Sequence, residues 1–500
     1  MNAASVKPDS LASLRWGQRL RMAGVCLALG GVLAGCASTG GIASHAQRIR
    51  PADIGLNASE RAALGIGADW WRALGDDQLD ALIERTLAAN PSLRIAQARI
   101  EHAAGLLAGN RAAEEVQVNA NADATRQRFS ATSIYPPPLG GSIRTLVSAQ
   151  VGIGYEFDFF GRNRAAIAAA LGEEQATIAD AAAARSALVT QVARSYVQLG
   201  RLQAQRQLVS QELAVRERTL ALLAERFRHG IDGTLELRQS EGAPAGIRQQ
   251  IAALDEQIAL VRHTLAALSA QPPSALDGVT APLTGWRDMP LPTALSVDLL
   301  ARRADVAAAL WRVRAATSNV DVAQSQFYPN INLTAFAGLA SIGFNRFIQA
   351  GSEQFGVGPA LRLPLFDGGR LRANLKVRVA DLDSAIETYN RTVLDAVHDA
   401  ADQIAAAGAI EQQARQQQAS LRAASAALGV ARDRHDAGLS NALGVLAAQS
   451  NLLTQERQAA DLRARAIDAQ ILLAHALGGG YIDEPLATGG APSHPRADYD

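Results

Sequence analysis

Side chains able to do chemistry are sparse and scattered in this chain of 500 residues. Eight histidines fall at positions 45, 102, 229, 263, 398, 435, 475 and 494, and no two stand at the His-x2–4-His spacing that holds a metal. Acidic pairs occur as Asp76-Asp77, Glu114-Glu115 and Glu173-Glu174, but they are adjacent in sequence. Neighbours on a helix diverge by about 100°, which makes such pairs poor acid/base couples. The glycines of "FDGGRLR", Phe366 to Arg372, follow neither the GxGxxG nor the Walker spacing and suit a strand-to-helix turn. No catalytic, cofactor or metal site emerges, and the chain reads as something other than an enzyme.

Cys36 points to a different chemistry. Arg15, Arg19 and Arg21 precede the apolar run "MAGVCLALGGVLAGC", Met22 to Cys36. That run is shorter than the ~20 residues of a transmembrane helix, and its basic start and small-residue end describe a secretory signal over residues 1–35. Leu33-Ala34-Gly35-Cys36 resembles the lipobox of bacterial lipoproteins. The resemblance implies a diacylglycerol on the Cys36 sulfur, cleavage before Cys36 and acylation of the new amino terminus, with residues 36–69 as a lipid-anchored segment. Ala37 follows, not the Asp that usually retains such lipoproteins at the inner membrane. Of the two cysteines, Cys26 leaves with the signal and only Cys36 is expected to remain in the mature chain, acylated, which leaves no disulfide and no zinc pattern. No other stretch offers 18 uninterrupted apolar residues, so no transmembrane helix is expected. With 48 Lys+Arg against 48 Asp+Glu, nothing steers the chain toward nucleic acid.

The elements around these residues are mostly helical by composition, with a few strands. "LVSAQVGIGYEFDFFGRNR", Leu146 to Arg164, alternates: Val147, Ala149, Val151, Ile153, Tyr155, Phe157 and Phe159 share one face, and Ser148, Gln150, Gly152, Gly154, Glu156 and Asp158 the other. Further strands are expected near Gln117–Thr125, at Asn330–Leu339 and at Phe355–Phe366, the last with Leu361 and Leu363 on its apolar face. The chain also resembles itself. Arg162 matches Arg370 and Gly230 matches Gly438, both at an offset of 208. Each copy reads helix, strand, loop, strand, long helix, tight turn, helix. The copies are bounded at 70–270 and 295–480, with a Pro-rich connector at 271–294 and an irregular tail at 481–500. The proline-free runs Arg162–His229 and Arg370–Ala437 predict helices about 100 Å long, which call for coiled-coil packing. Leu462, Ala466, Ala469, Leu473 and Ala476 form one such stripe. At the turns, Gly230 and Gly438 suit left-handed helix ends, and Asp232 and Ser440 are placed to cap the returning helices.

A membrane strand needs ~9–11 residues, apolar toward lipid and polar toward a lumen. Four strands cannot close a barrel, and open edges cannot lie in hydrocarbon. The chain must associate with itself: two copies give a barrel filled by its own side chains, three leave an opening. Val151, Ile153, Tyr155 and Phe157 are the expected lipid-facing residues.

The motifs "WWRALGDDQLDALIERTLAANPSL", "YEFDFFGRNR", "ERFRHGI", "LLARRADVAAA", "FYPNINL", "LPLFDGGRLRA", "AGLSNALGVLAAQ" and "ALGGG", spread from about Trp70 to Gly480, resemble the outer-membrane efflux protein family of the TolC/OprM type, in its lipoprotein, NodT-like branch. The resemblance implies a homotrimer with a 12-stranded outer-membrane β-barrel, four strands per chain, continued by a long periplasmic α-helical coiled-coil barrel. It also implies outer-membrane lipid around the barrel, a periplasmic adaptor (membrane fusion protein) and an inner-membrane pump. The expected function is the exit duct of a tripartite efflux system for drugs, toxic organics or metal ions. The rivals are a duct for type I protein secretion and a lipid-anchored periplasmic coiled coil without a pore.

Against the family's pattern this chain departs at the periplasmic gate. Relatives carry carboxylates on the second hairpin's returning helix, where this chain has Gly444 and Ala447. Leu443 stands where some relatives have an apolar constriction. Glu236, the first-copy equivalent of Gly444, falls on the outer hairpin and reads as a solvated surface residue, and Asp232 as a cap. Ala304 replaces a usual Pro after two arginines, with a local effect expected.

Overall fold

Proline-free runs rich in Ala, Leu, Arg and Gln become very long helices in the computed structural model, which describes residues 39–54, 67–132, 134–289 and 302–481. In chain order the elements are α1 (Asp77–Ala89), α2 (Pro91–Ala112), β1 (Gln117–Arg128), β2 (Ile143–Phe157), α3 (Arg162–Arg228), α4 (Thr234–Leu268), α5 (Ala304–Ser325), β3 (Asn330–Ile342), β4 (Glu353–Arg362), α6 (Arg370–Asp436) and α7 (Ala442–Ala476). The series α2–β1–β2–α3–α4 and α5–β3–β4–α6–α7 follow the same order. Both α3 and α6 have 67 residues, and both α4 and α7 have 35. At ~1.5 Å per residue the longer helices reach about 100 Å. Among the described residues no helix is long and apolar enough to cross a membrane.

Contacts divide the chain into two units. One holds His102–Glu174 and Trp311–Glu387 with the start of the chain. Its sheet has the order β1-β2-β3-β4, antiparallel throughout. Beside the sheet, Val320 and Ala323 of α5 pack on Leu375 and Val379 of α6, with Ile42 and Phe327 against them. The chain that follows residue 38 lies along α6: Arg372 donates to the Gly40 carbonyl at 3.1 Å. Ser44 Oγ and the Ala46 N–H both donate to Asp383 Oδ1.

The other unit holds Arg48–Glu101, Gln175–Leu310 and the chain from Thr388. Its core joins Trp71, Leu74, Leu79 and Ile83 to Val192, Tyr196 and Leu199 of α3, Leu265 of α4 and Ile471 of α7. Asp76 caps α1 by accepting from the Gln78 and Leu79 N–H groups, and Tyr196 Oη donates to the same carboxylate. Arg303 is buried and charged: it bonds Asp305 at 2.7 Å, Asp399 at 3.4 Å and the Ala476 carbonyl at 3.3 Å, tying the start of α5 to α6 and α7. Burial lowers the His475 pKa, with the Arg303 charge adding to the effect. Ala304 is the first residue of α5, a position where Pro loses no helical bond.

Several expectations need correction. β2 ends at Phe157, so Phe159 belongs to the turn. β4 ends at Arg362, which leaves Leu363 outside the strand; Leu361 is within it. Pro359 lies inside β4, opposite Leu333, and β4 is an edge strand of the single chain's sheet. In α7, Ala469, Leu473 and Ala476 are buried as the stripe requires, but Leu462 and Ala466 are half-buried, and Ile467, Ile471 and Ala474 bury a second face. Gly478 and Gly479, at the end of the second copy, are buried in a turn.

Gly338 marks a close approach of β2 and β3. A Cβ there meets the Ala149 carbonyl oxygen at 2.3 Å and Gln150 Cα at 2.6 Å. Gly338→Ala is expected to cost about 1–3 kcal/mol of overpacking strain and to lower the protease-resistant protein recovered from membranes. Gly154→Ala, whose Cβ meets nothing within 4 Å, is expected to leave that yield unchanged.

Candidate functional site

The sheet has two chemically distinct faces, fixed by register. On one, Ala120, Val151, Ala337 and Phe355 form a cross-strand row, and Val118, Ile153, Ala335 and Val357 form the next. Tyr155, Leu333 and Pro359 follow, then Phe157, Ile331 and Leu361. Val151 is 48% exposed and Phe355 85%. An exposed apolar band continuous over four strands is larger than a water-facing sheet tolerates. The opposite face carries Asn119, Gly152, Phe336 and Gly356 in one row and Asn121, Gln150, Gly338 and Gln354 in another. The expected set Val151, Ile153, Tyr155 and Phe157 thus lies on the apolar face. At the end of the sheet where α3 begins, aromatic rings cluster: Tyr155 meets Phe157 edge-on at 5.0 Å, Phe157 stacks on Phe159 at 5.6 Å, and Phe160 stacks on Tyr328 at 4.9 Å. Such girdles mark membrane interfaces.

Carboxylates close both strand-to-helix turns. Asp158 accepts from the Asn163 and Arg164 N–H groups at the start of α3. Asp367 accepts from Gly369 and Leu371 at the start of α6, and the Leu371 bond leads in holding its carboxyl below the usual range. The macrodipole of a long helix favours an anion there. The pairing of "FFGRNR" with "DGGRLR" hid these caps, because the two aspartates differ by one position in the alignment.

Both hairpin turns are Schellman motifs. Gly230 and Gly438 are left-handed, with φ of 70° and 72°. The Ile231 N–H bonds the Arg226 carbonyl and the Leu439 N–H the Arg434 carbonyl, at 2.9 and 2.7 Å. The expected caps are corrected by one residue. Gly233, not Asp232, precedes α4, and Asn441, not Ser440, caps α7 by accepting from the Gly444 N–H. Asp232 instead pairs with Arg226 in two bonds of 2.7 and 2.8 Å, and Arg226 holds its carboxyl below the ordinary value. The reason is reach: a partner one turn back along α3 offers two charge-assisted bonds, more than a cap supplies. Glu236 is exposed in the first turn of α4. Leu443 is half-buried in the first turn of α7, while Gly444 and Ala447 are exposed three residues apart. Farther from the turns, Glu212 of α3 accepts from Arg216 at 2.6 Å and from Ser450 of α7 at 2.7 Å. Neither this link nor the Arg226–Asp232 pair was legible from local pattern. Cys36 lies outside the described residues, and among these no cluster of His, Cys, Asp or Glu is arranged to hold a metal.

The chain's likeness to known proteins agrees with this architecture. The sequence model of the family "Outer membrane efflux protein" matches residues 82–271 and 295–479. Fusaric acid resistance protein FusA of Burkholderia cepacia is 38% identical over 359 residues, 70% of this chain and 67% of that one. Multidrug resistance outer membrane protein MdtP of Escherichia coli is 32% identical over 475 residues, 92% of this chain and 97% of that one. Among solved structures, the outer membrane protein VceC of Vibrio cholerae superposes with a TM-score of 0.76 at 34% identity, covering 83% of this chain and all of VceC. The Campylobacter jejuni CmeC outer membrane channel, at 20% identity, shares the fold with a TM-score of 0.78. A sheet apolar on one face, long helical hairpins and matches in both halves lead to one conclusion: the chain belongs to the outer membrane efflux protein family, and it is a channel rather than an enzyme.

Proposed function

We propose that this chain is the exit duct of a tripartite efflux system and works as a homotrimer. In this reading three four-stranded sheets close a 12-stranded barrel in the outer membrane, and the helical hairpins of two internal repeats form a periplasmic barrel below it. A periplasmic adaptor and an inner-membrane pump complete the path. The observation that carries the reading is the two-faced sheet with open edges at β1 and β4. Its apolar face suits lipid, and its edges need partners in hydrocarbon. The resistance names of MdtP and FusA favour small organic molecules as cargo, with metal ions a further class. A type I secretion duct remains a rival within the channel class, but the names of MdtP and FusA point to resistance instead. A pore-less coiled coil leaves the sheet without a role. Conductance of the purified protein in planar bilayers is the direct test, and its absence overturns the proposal.

The lipid anchor belongs to the same reading. Gly40 lies against Arg372, the third residue of α6. Cys36 is four residues away along the chain, at most ~14 Å by backbone reach. A lipid there meets the membrane end of α6, beside β4. Mass spectrometry of the mature amino-terminal peptide is expected to show acylated Cys36 as the first residue. An unmodified cysteine, or cleavage elsewhere, rejects the anchor.

The faces make a paired prediction. An Arg at mid-depth on the lipid face of a barrel costs roughly 2–4 kcal/mol. Val151→Arg is therefore expected to impair assembly into the membrane. Gly152→Arg, on the opposite face and with its Cβ near only backbone oxygens at 3.9 and 4.0 Å, is expected to assemble. Equal yields from the two refute the assigned faces.

The second hairpin, around Gly438 to Leu446, is proposed as the inner lip of the periplasmic entrance, narrowed by Leu443. With Gly444 and Ala447 in place of carboxylates, closure rests on apolar contact and exclusion of water, and depends little on divalent cations. Leu443→Ser is expected to raise resting conductance, and Glu236→Gln to leave it unchanged, in single-channel records with and without added divalent cation. The opposite pattern exchanges the inner and outer hairpins.

A further inference from the structure

The polar face of the sheet carries a single aromatic side chain among the four described strands. Phe336 pairs with Gly152 on β2 and Gly356 on β4. One row toward the helices, Thr334 stands between Gly154 and Gly358; one row the other way, Gly338 stands between Gln150 and Gln354. The two glutamines join across Gly338, with Gln354 Nε2 donating to Gln150 Oε1 at 3.4 Å. Five glycines and a pair of amides therefore surround one ring.

The ring is not centred in this hollow. A Cβ on Gly356 meets Phe336 Cε1 at 2.7 Å, so the ring leans over Gly356. Over Gly154 a Cβ meets nothing within 4 Å, and over Gly152 only backbone oxygens at 3.9 and 4.0 Å. The ring stays 41% exposed, and the floor beside it, toward β2, is bare backbone. A lone exposed apolar side chain needs no explanation. An exposed ring next to an open, flat, glycine-floored hollow with amide groups at its rim has the form of a shallow aromatic subsite.

We propose that Phe336 and the hollow over Gly152 and Gly154 form a contact site on the export path for planar aromatic cargo. The cargo ring lies on the backbone floor against Phe336, and its polar substituents exchange hydrogen bonds with Gln150 and Gln354. This rests on the barrel reading, in which the polar face lines the lumen. One aromatic contact changes a dissociation constant by roughly two- to tenfold. That is weak, as a conduit requires, because cargo that binds must also leave.

The test uses the full-length channel in planar bilayers with two neutral probes, N-acetyltryptophanamide and N-acetylleucinamide. Open-channel current noise, titrated with each probe, gives a half-saturation concentration. Phe336→Leu is expected to raise that concentration roughly two- to tenfold for the tryptophan probe and to leave the leucine probe unchanged, and Phe336→Trp to restore it. Gly154→Leu, which fills the hollow with Phe336 intact, is expected to weaken the tryptophan probe alike, and it carries the test if Phe336→Leu yields no channels. A separate arm checks the face: Phe336→Cys is expected to lose current on exposure to a charged, membrane-impermeant methanethiosulfonate, and Val151→Cys to be inert. No reaction at Phe336→Cys overturns the lumenal assignment itself. Reaction there, with the same tryptophan half-saturation in wild type, Phe336→Leu and Gly154→Leu, leaves the barrel standing and overturns the aromatic site, with Phe336 merely covering Gly356.

Discussion

The constraint on which the rest depends is the unpaired backbone at β1 and β4. A four-stranded sheet has two edges, and in hydrocarbon each N–H or C=O left without a partner costs several kcal/mol. The apolar face, with Val151, Phe355 and Val357 well exposed, is stable only out of water. Lipid satisfies the face and forbids the edges, so a single copy is an incomplete object in a membrane. In the proposed trimer, joining β4 of one copy to β1 of the next would remove every edge and make assembly and membrane insertion parts of the same step.

The helices pose a second requirement, that of packing over a great length. Helices of 67 residues cannot be stabilised by propensity alone and need packing along their length. The packing is apolar where the core lies and polar elsewhere. Arg194 pairs with Asp468 at 2.7 Å and Arg201 with Asp461 at 2.8 Å, each joining α3 to α7. These pairs are partly exposed and contribute modestly. Their value is in register, since an Arg on one helix and an Asp on another meet at only one sliding position. Arg303 does the same from within the fold, where leaving it unpaired carries a larger penalty.

Much of this was legible in the sequence because it is periodic. Alternation gave the apolar face of β2, proline-free composition gave the 67-residue helices, and the constant offset between Gly230 and Gly438 gave the hairpins. What was not legible depends on partners remote in sequence or on one-residue choices. Phe336 shares its parity with Asn332 and Thr334, so alternation alone puts it on the polar face, but its glycine neighbours across the ladder, Gly152 and Gly356, come only from the register. Asp232 and Ser440 were read as caps from spacing, but the left-handed glycine lengthens the turn, and Gly233 and Asn441 take the cap positions. Leu363 looked like strand because its alternation outlasts the ladder, which ends with Asn330 opposite Arg362.

The two hairpins show how one backbone design supports different roles. Their glycines have nearly the same φ and their Schellman bonds are equivalent, so the turns themselves do not distinguish them. The side chains do. In the first hairpin Arg226 and Asp232 form a two-bond clasp across the turn; at the matching positions the second has Arg434 and Ser440, and a serine offers no negative charge. Its returning helix starts from the Asn441 cap, a single bond of 3.3 Å to Gly444, and continues through Gly444, which favours helix less than other residues. The two turns are thus held differently, the first by an ion pair with no side-chain cap at Gly233, the second by the Asn441 cap. If the second hairpin forms the entrance, as proposed, what sets it apart from the first is a few side chains rather than the fold.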